Sequence, residues 1–175
     1  MTTLKRLMNF SGGDCGVVNV DGYAWATDGN VLIRLGDASK HDEFCSLIMA
    51  SMNKMRAGIE KMVPTLTSWN PKYELTIGQL YGSDDLSMAV RMLNGNAPMV
   101  VNEAYLKLFP PEVELYGSSN KRDGIVVLHH GTPIGKIMPF KDLILDLIKP
   151  VENESEWAWD MALYQDKAED IDVPC

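Results

Sequence analysis

The sequence predicts an α+β fold in which helices pack on an antiparallel sheet. Asp21-Gly22 and Asp28-Gly29 separate three runs rich in β-formers, and glycine supplies the positive φ that tight hairpin turns require. Between residues 42 and 62, apolar side chains recur at steps of three and four, which is a helical period. A length of 175 residues with 46% hydrophobic content suits one domain with appendages.

The first part of the chain is predicted to be a short helix followed by a three-stranded antiparallel meander. A threonine at position 2 or 3 is the predicted N-cap of the helix, and Ser11-Gly12-Gly13 ends it. In order, the predicted elements are a helix over residues 4–10 and strands over residues 17–20, 23–27 and 31–35.

The later part of the chain repeats this arrangement. Asn102 is the predicted N-cap of a short helix over residues 103–109, which Pro110-Pro111 ends. The meander strands that follow are predicted at residues 113–116, 125–129 and 134–138, with the last turn at Gly131-Thr132-Pro133. A twofold repeat of this kind packs its helices against one face of an antiparallel sheet.

The remaining segments are predicted to be an inserted helix, one or two further strands and a C-terminal helix. The helix over residues 42–62 is expected to stop at Pro64. Residues 73–80 alternate like a strand, whereas residues 86–93 fit either a strand or a short helix. Residues 140–148 have the pattern of an amphipathic helix.

The net charge of −8 is concentrated at the C-terminal end of the sequence. From Val151 onward there are eight acidic residues and one lysine, a net charge of −7, which leaves −1 for residues 1–150. One interpretation is a solvated tail that favours solubility. The alternative is a tail that folds over a basic surface and competes with a phosphate backbone. Trp157 and Trp159 favour docking of part of the tail, because disordered segments rarely carry two tryptophans.

Several classes of protein are disfavoured by what the sequence lacks. There is no apolar run of the roughly 20 residues that a membrane span needs, and no secretory signal pattern, so we expect a cytoplasmic protein. The three cysteines are widely spaced and odd in number, and His129 and His130 would point to opposite faces of a strand, so we expect no metal site. No phosphate-binding loop, nucleophile elbow or zinc-protease motif is present, so we expect neither a cofactor nor an enzyme.

Three local motifs within the repeat carry a resemblance to a known family. They are Thr3-Leu4-Lys5-Arg6-Leu7, Ala26-Thr27-Asp28-Gly29, and Val101-Asn102-Glu103-Ala104-Tyr105-Leu106 followed by a meander that ends in Ile137-Met138-Pro139-Phe140. In order, they resemble the opening helix, the Ala-Thr-Asp-Gly turn and the last half-domain of the bacterial DNA polymerase III sliding clamp, the beta subunit. The resemblance covers residues 3–36 and 73–140.

The resemblance implies one DNA-clamp-like domain over residues 1–140, with the helix at 42–62 as an insertion and residues 141–175 as a helical and acidic extension. A bacterial clamp chain has three such domains in a six-domain ring, so this chain would need about six copies to form one. Where the family has His-Arg-Leu after the Asp-Gly turn, this sequence has Asn30-Val31-Leu32.

By the same resemblance, basic side chains on the helices would contact a duplex backbone without reading its sequence. The candidates are Lys5, Arg6, Lys107, Lys54, Arg56 and Lys61. Solvated helix faces are the plainer interpretation of these residues.

The family also binds peptides in an apolar groove, and the matching positions are Leu32, Met138 and Pro139. Core or interface packing is the plainer role for these three. The expected function is a non-enzymatic, DNA-associated replication or repair factor of a phage or mobile element that self-assembles. Its expected partners are double-stranded DNA, replication or repair proteins and copies of itself. The alternative is a clamp-fold interaction module that does not bind DNA, in which the acidic tail masks the basic face or mimics a DNA partner.

Overall fold

The computed structural model describes residues 3–11, 15–37, 53–67, 73–83, 89–118, 123–141 and 148–154. Within these ranges, ten antiparallel strands form one large sheet and three helices pack on it. The predicted α+β class is therefore confirmed. The predicted domain limits stay a prediction, whereas most of the predicted helix at residues 140–148 lies outside this description.

The elements are numbered in chain order. The strands are β1 (Gly16–Val20), β2 (Tyr23–Thr27), β3 (Val31–Asp37), β4 (Tyr73–Gly82), β5 (Ala89–Asn94), β6 (Met99–Asn102), β7 (Val113–Gly117), β8 (Ile125–His129), β9 (Thr132–Ile137) and β10 (Lys149–Pro150). The helices are α1 (Thr3–Phe10), α2 (Asn53–Thr67) and α3 (Glu103–Leu106). The order of strands in the sheet is β1-β2-β3-β9-β8-β7-β4-β5-β6, and β10 pairs with β4 beside this path.

Local turn chemistry forms the meander β1-β2-β3. Asp21 and Gly22 have φ values of 53° and 82°, the two positive values that a tight hairpin with the right-handed twist of its strands needs. At the second turn Gly29 has a φ of 95°, and the carboxylate of Asp28 accepts hydrogen bonds from the backbone N–H groups of Asn30 (2.9 Å) and Val31 (3.1 Å). Both predicted Asp-Gly hairpins are confirmed.

The second meander, β7-β8-β9, turns earlier than the sequence predicted. His130 and Gly131 have φ values of 51° and 74° and form the β8–β9 turn, so that β9 already begins at Thr132. Pro133 lies inside β9, where it pairs with Leu128 beside a register shift. Because a bulge breaks the regular hydrogen-bond ladder, it tolerates a residue that has no N–H donor.

The two meanders join through their third strands. Val31 pairs with Ile137 and Ile33 with Gly135 in the antiparallel β3–β9 ladder, and the N–H of Met138 continues the contact with a 2.8 Å bond to the carbonyl of Asn30. The result is a continuous six-stranded segment, β1-β2-β3-β9-β8-β7, inside the larger sheet.

Helices cover both faces of this segment. Successive strand residues point to opposite faces, and apolar side chains occupy both. Leu4 and Leu7 of α1, together with Leu108 and Phe109 after α3, pack on the face that carries alternate residues such as Ala24. On the opposite face, α2 contributes Ile59, Val63 and Leu66 to a second cluster with Val18, Trp25, Leu32, Val126 and Leu128. The first face thus holds α1 and α3, and the second holds α2.

Helix α2 continues past the residue that was expected to end it. The structure describes the helix from Asn53 to Thr67 with Pro64 inside, whereas the prediction placed it over residues 42–62. Proline inside a helix costs about 3 kcal/mol through a lost hydrogen bond and a steric clash. The buried side chains of Ile59, Val63 and Leu66 lie at helical spacing on both sides of Pro64 and offset this cost. Residues 42–52 of the predicted helix lie outside the described residues.

The ambiguous segment at residues 86–93 is a strand where the structure describes it, since β5 begins at Ala89. Of the predicted helix at residues 140–148, residues 142–147 lie outside the described residues. Ile148 is buried, and Lys149 and Pro150 then pair with Gly82 and Tyr81 of β4.

Helix α3 has the predicted N-cap, and this cap carries a testable consequence. The side-chain oxygen of Asn102 accepts a 2.9 Å hydrogen bond from the backbone N–H of Ala104. Asn102→Ala is expected to lower the free energy of unfolding, measured by urea denaturation, by about 1 kcal/mol. Asn102→Asp keeps an acceptor and serves as the control, which is expected to stay close to the parent chain. Equal losses in both variants would contradict the cap.

Candidate functional site

A groove of about 370 Å³ opens where α1, α3 and the β4–β5 strand pair meet. Three cationic side chains and one carboxylate lie on its wall, namely Arg6, Arg91, Lys107 and Glu103. Its apolar lining includes Ile77, whose side chain is 57% exposed, and Phe109, which is buried. The groove therefore combines positive charge with an apolar surface.

A buried ion pair stabilises the wall of the groove. Arg91 and Glu103 are only 8% and 4% exposed, and two parallel hydrogen bonds join them, from Nε to Oε2 (2.9 Å) and from Nη2 to Oε1 (2.7 Å). This bidentate geometry is the strong form of an arginine–carboxylate contact. The bond to Glu103 raises the pKa of Arg91 above its ordinary value against the opposing effect of burial.

The remaining donors of Arg91 are also engaged. Its Nη1 donates to the carbonyl oxygen of Gly78 (3.1 Å) and to Oε1 of Glu154 (2.8 Å), and Nη2 makes a longer contact of 3.4 Å with Oε2 of Glu154. A guanidinium has five N–H donors on three nitrogens. The five contacts of Arg91 with Glu103, Gly78 and Glu154 therefore engage all three nitrogens. Arg91 thus holds the groove together rather than offering donors to a ligand.

Arg6 and Lys107 are the other two cations of the groove. Burial, together with the positive charge of Arg91, lowers the pKa of Lys107, and the nearby carboxylates of Glu103 and Glu154 oppose this shift. The buried Nε of Arg6 has no hydrogen-bond acceptor among the described residues. Partly desolvated cations attract an anion more strongly than fully hydrated ones do, because the effective dielectric constant is lower. This part of the groove is therefore suited to an anionic group.

Helix α3 is fixed to the Asp-Gly turn of the first meander. The hydroxyl of Tyr105 donates a 2.6 Å hydrogen bond to Oδ2 of Asp28 and accepts a 3.5 Å contact from the amide of Asn30. Burial, and then the bond to Asp28, raise the pKa of Tyr105 above its ordinary value. Tyr105 therefore keeps its proton and positions α3 against the turn.

The six basic residues predicted to contact DNA are divided between the two faces of the sheet. Lys5, Arg6 and Lys107 are half-buried residues on or just after the helices of one face, and Arg6 and Lys107 line the same groove. Lys54, Arg56 and Lys61 belong to α2 on the opposite face, where Lys61 is exposed. Since the sheet separates the two sets, a single straight duplex cannot contact both.

The three residues predicted for a peptide groove are brought together, but one of them is in the core. The β3–β9 pairing places Met138 beside Asn30, near Leu32, and Pro139 follows as a buried residue. Leu32 is 2% exposed and packs under α2 with Ile59 and Val63. Its side chain therefore belongs to the second cluster rather than to an open groove.

The ion pair in the wall of the groove was not predicted from the sequence. Arg91 is 12 residues from Glu103 and 63 from Glu154, so no short spacing pattern connects them. One signal was available, because a lone arginine in the apolar run Ala89-Val90-Arg91-Met92-Leu93 needs a buried partner. A first-turn glutamate directly after an N-cap gave no sign of that role.

The fold and the groove define an α+β protein with an antiparallel sheet and a mixed cationic and apolar groove on the face of α1 and α3. Comparisons with protein-family models, with curated proteins and with solved structures found no match to this chain. Within the described part of the chain, no helix is long and apolar enough to cross a membrane. Among the same residues, no group of three or more His, Cys, Asp and Glu side chains is arranged to hold a metal ion.

Proposed function

We propose that this chain is a non-enzymatic, sliding-clamp-like accessory factor of DNA replication or repair in the cytoplasm, which contacts the duplex backbone and assembles with copies of itself. One observation carries the proposal. Two segments, α1 with β1-β2-β3 and α3 with β7-β8-β9, each consist of a helix followed by a meander, and both helices pack on the same face of the sheet.

The pairing of β3 with β9 supports a twofold relation between these segments. The two strands hold equivalent positions, third in each meander, and they run antiparallel. A local twofold axis between the strands would exchange the meanders and would bring α1 to the position of α3. An internal repeat with its helices on one face is the arrangement that the clamp resemblance implies.

The charges on this face support contact with phosphates. Lys5 and Arg6 on α1 and Lys107 after α3 are cations on one side of the sheet, and backbone contacts need no base-specific geometry. Residues 1–150 carry a net charge of only −1, so the strong acidity of the whole chain does not come from this surface.

DNA binding through this face has a matched test. Lys5→Ala, Arg6→Ala and Lys107→Ala in one chain are expected to weaken binding of a labelled duplex in fluorescence anisotropy. The slope of log K against log salt is expected to fall by about 1 for each phosphate that is no longer neutralised. The control is Lys54→Ala, Arg56→Ala and Lys61→Ala, which removes three charges from the opposite face. Equal weakening by the two variants would contradict an oriented binding face, and circular dichroism checks that both remain folded.

Self-assembly is supported by the open arrangement of the sheet. Among the described residues, the path of strands runs from β1 to β6 without closing into a barrel, and strand edges are common sites of pairing between chains. The N–H of Phe140 already donates a 2.8 Å hydrogen bond to the carbonyl of Val100 in β6, so β1 is the candidate edge. Analytical ultracentrifugation is expected to give a mass above that of the 19.5 kDa chain. A monomer at working concentration would exclude a ring.

A second candidate function is an interaction module with the same fold that does not bind DNA. Ile77 is a large apolar side chain, more than half exposed, on the wall of a groove that also contains cations. Such a groove suits a peptide that carries both apolar and acidic side chains. Absence of salt-dependent duplex binding by the parent chain would favour this candidate over the first.

A further inference from the structure

The segment that leads into the acidic tail is fixed to the sheet beside the groove. The backbone N–H of Val151 donates a 2.9 Å hydrogen bond to the carbonyl of Leu80, and the side-chain amide of Gln79 donates to the carbonyl of Val151 at 3.1 Å. Val151 also packs against the small cluster of Leu80 and Ala89. Together with the β10–β4 pairing, these contacts give the chain a defined position up to residue 154.

The last described residue, Glu154, lies at the groove itself. Its carboxylate accepts a hydrogen bond from Arg91, which lines the groove, while its side chain remains 51% exposed. The charge of Glu154 also acts on Lys107, and Arg6 lines the same groove, so the acidic segment begins beside these cations. The acidic segment thus has short access to the basic part of the groove.

The chemistry of residues 155–175 complements the groove. The segment has six acidic residues and one lysine, a net charge of −5, and it includes the aromatic side chains of Trp157, Trp159 and Tyr164. The groove offers the cations Arg6 and Lys107 next to the exposed Ile77. The segment and the groove therefore carry opposite charges, and both offer apolar surface.

We propose that the acidic segment, residues 155–175, docks in this groove as its intramolecular occupant and competes there with the phosphate backbone. This regulation rests on the DNA-binding function proposed above, whereas the docking itself is independent of DNA. An anionic ligand would then have to displace the segment. The apparent affinity of the ligand is therefore its intrinsic affinity multiplied by the fraction of molecules in which the groove is unoccupied.

Site-specific photo-crosslinking tests the docking without DNA. Ile77→p-benzoylphenylalanine in the full chain puts a reactive ketone on the groove wall, and Pro111→p-benzoylphenylalanine gives a second, exposed position on the same wall. The control is Tyr23→p-benzoylphenylalanine. Tyr23 is 45% exposed and is, beside Ile77, the other large exposed hydrophobic residue among those that the structure describes. We expect crosslinks within the monomer from positions 77 and 111 to residues 155–175, identified by mass spectrometry, and none from position 23. No such crosslink from either groove position, or an equal yield from position 23, would overturn the proposal.

Neutralising the tail tests its effect on DNA binding. The tail variant combines Glu156→Gln, Asp160→Asn, Asp166→Asn and Glu169→Gln. The control variant removes the same number of charges from exposed positions of the described surface, with Asp21→Asn, Glu60→Gln, Glu74→Gln and Glu114→Gln. If the segment occupies the groove in about nine molecules of ten, the tail variant binds the labelled duplex about tenfold more tightly and the control variant changes far less.

The two experiments separate failure of the docking from failure of DNA binding. An equal gain in the tail and control variants would reduce the effect to net charge and overturn the regulation. If neither the parent chain nor the tail variant binds duplex, the DNA-binding function is wrong, and crosslinks from position 77 to the tail would still support the docking. Duplex binding by the parent chain without crosslinks from the groove would retain the function and overturn the docking.

Discussion

Glu103→Ala is expected to lower the free energy of unfolding by about 3–5 kcal/mol, the usual cost of removing one partner from a buried ion pair. Glu103 accepts two short hydrogen bonds from Arg91, and both residues are less than 9% exposed. Without Glu103, Arg91 keeps its charge in a poorly hydrated site, where the carbonyl of Gly78 and the half-exposed Glu154 are its remaining acceptors among the described residues. Urea denaturation followed by circular dichroism measures the loss.

Glu154→Gln is the matched control for this prediction. It removes a carboxylate from the same guanidinium, but on the solvent side, where an ion pair contributes at most about 1 kcal/mol. Replacing both Arg91 and Glu103 by methionine removes the buried charges together and is expected to recover much of the stability lost in Glu103→Ala. A loss below about 1 kcal/mol in Glu103→Ala would contradict the role assigned to the pair.

Gly135→Ala is expected to lower the free energy of unfolding by about 3 kcal/mol, the upper end of the usual cost of overpacking a core. A Cβ atom at position 135 would lie 2.3 Å from a ring carbon of Phe109 and 2.5 Å from the carbonyl oxygen of Leu32. The ring can shift, but the carbonyl belongs to the neighbouring strand β3. The methyl group would therefore push the loop after α3 away from the sheet and the β3–β9 ladder apart, and thermal unfolding would detect this.

Gly58→Ala is the control for this substitution. Gly58 lies inside α2, and a Cβ there would meet no atom within 4 Å. Alanine is favoured over glycine inside a helix by about 0.5–1 kcal/mol, so this variant is expected to be slightly more stable than the parent chain. Retention of parental stability by Gly135→Ala would contradict the close packing of Phe109 on β9.

Features that depend on neighbouring residues were predictable from the sequence. The two Asp-Gly hairpins follow from the positive φ that glycine allows, and the N-cap of α3 follows from the ability of Asn102 to accept a backbone N–H. The α+β class follows from the change between strand and helix periods along the chain.

Features that depend on residues distant in sequence were not predictable in the same way. The division of the basic residues between two faces results from the side of the sheet on which α2 packs, and no local pattern determines that side. Helix α2 passes Pro64 because its buried stripe continues, which requires knowing what the stripe packs against. The groove, likewise, forms only where α1, α3 and the β4–β5 strand pair come together.

The joining of the two meanders has a consequence for synthesis of the chain on the ribosome. Val31 of β3 pairs with Ile137 of β9, which is made 137 − 31 = 106 residues later. At roughly 5–20 residues per second, the first meander waits roughly 5–20 s for its neighbouring strand. During this interval β3 is an unpaired edge that carries the apolar side chains of Leu32 and Ile33, and such edges promote association between nascent chains. Slow translation or crowded polysomes are therefore the conditions under which this protein would aggregate before it folds.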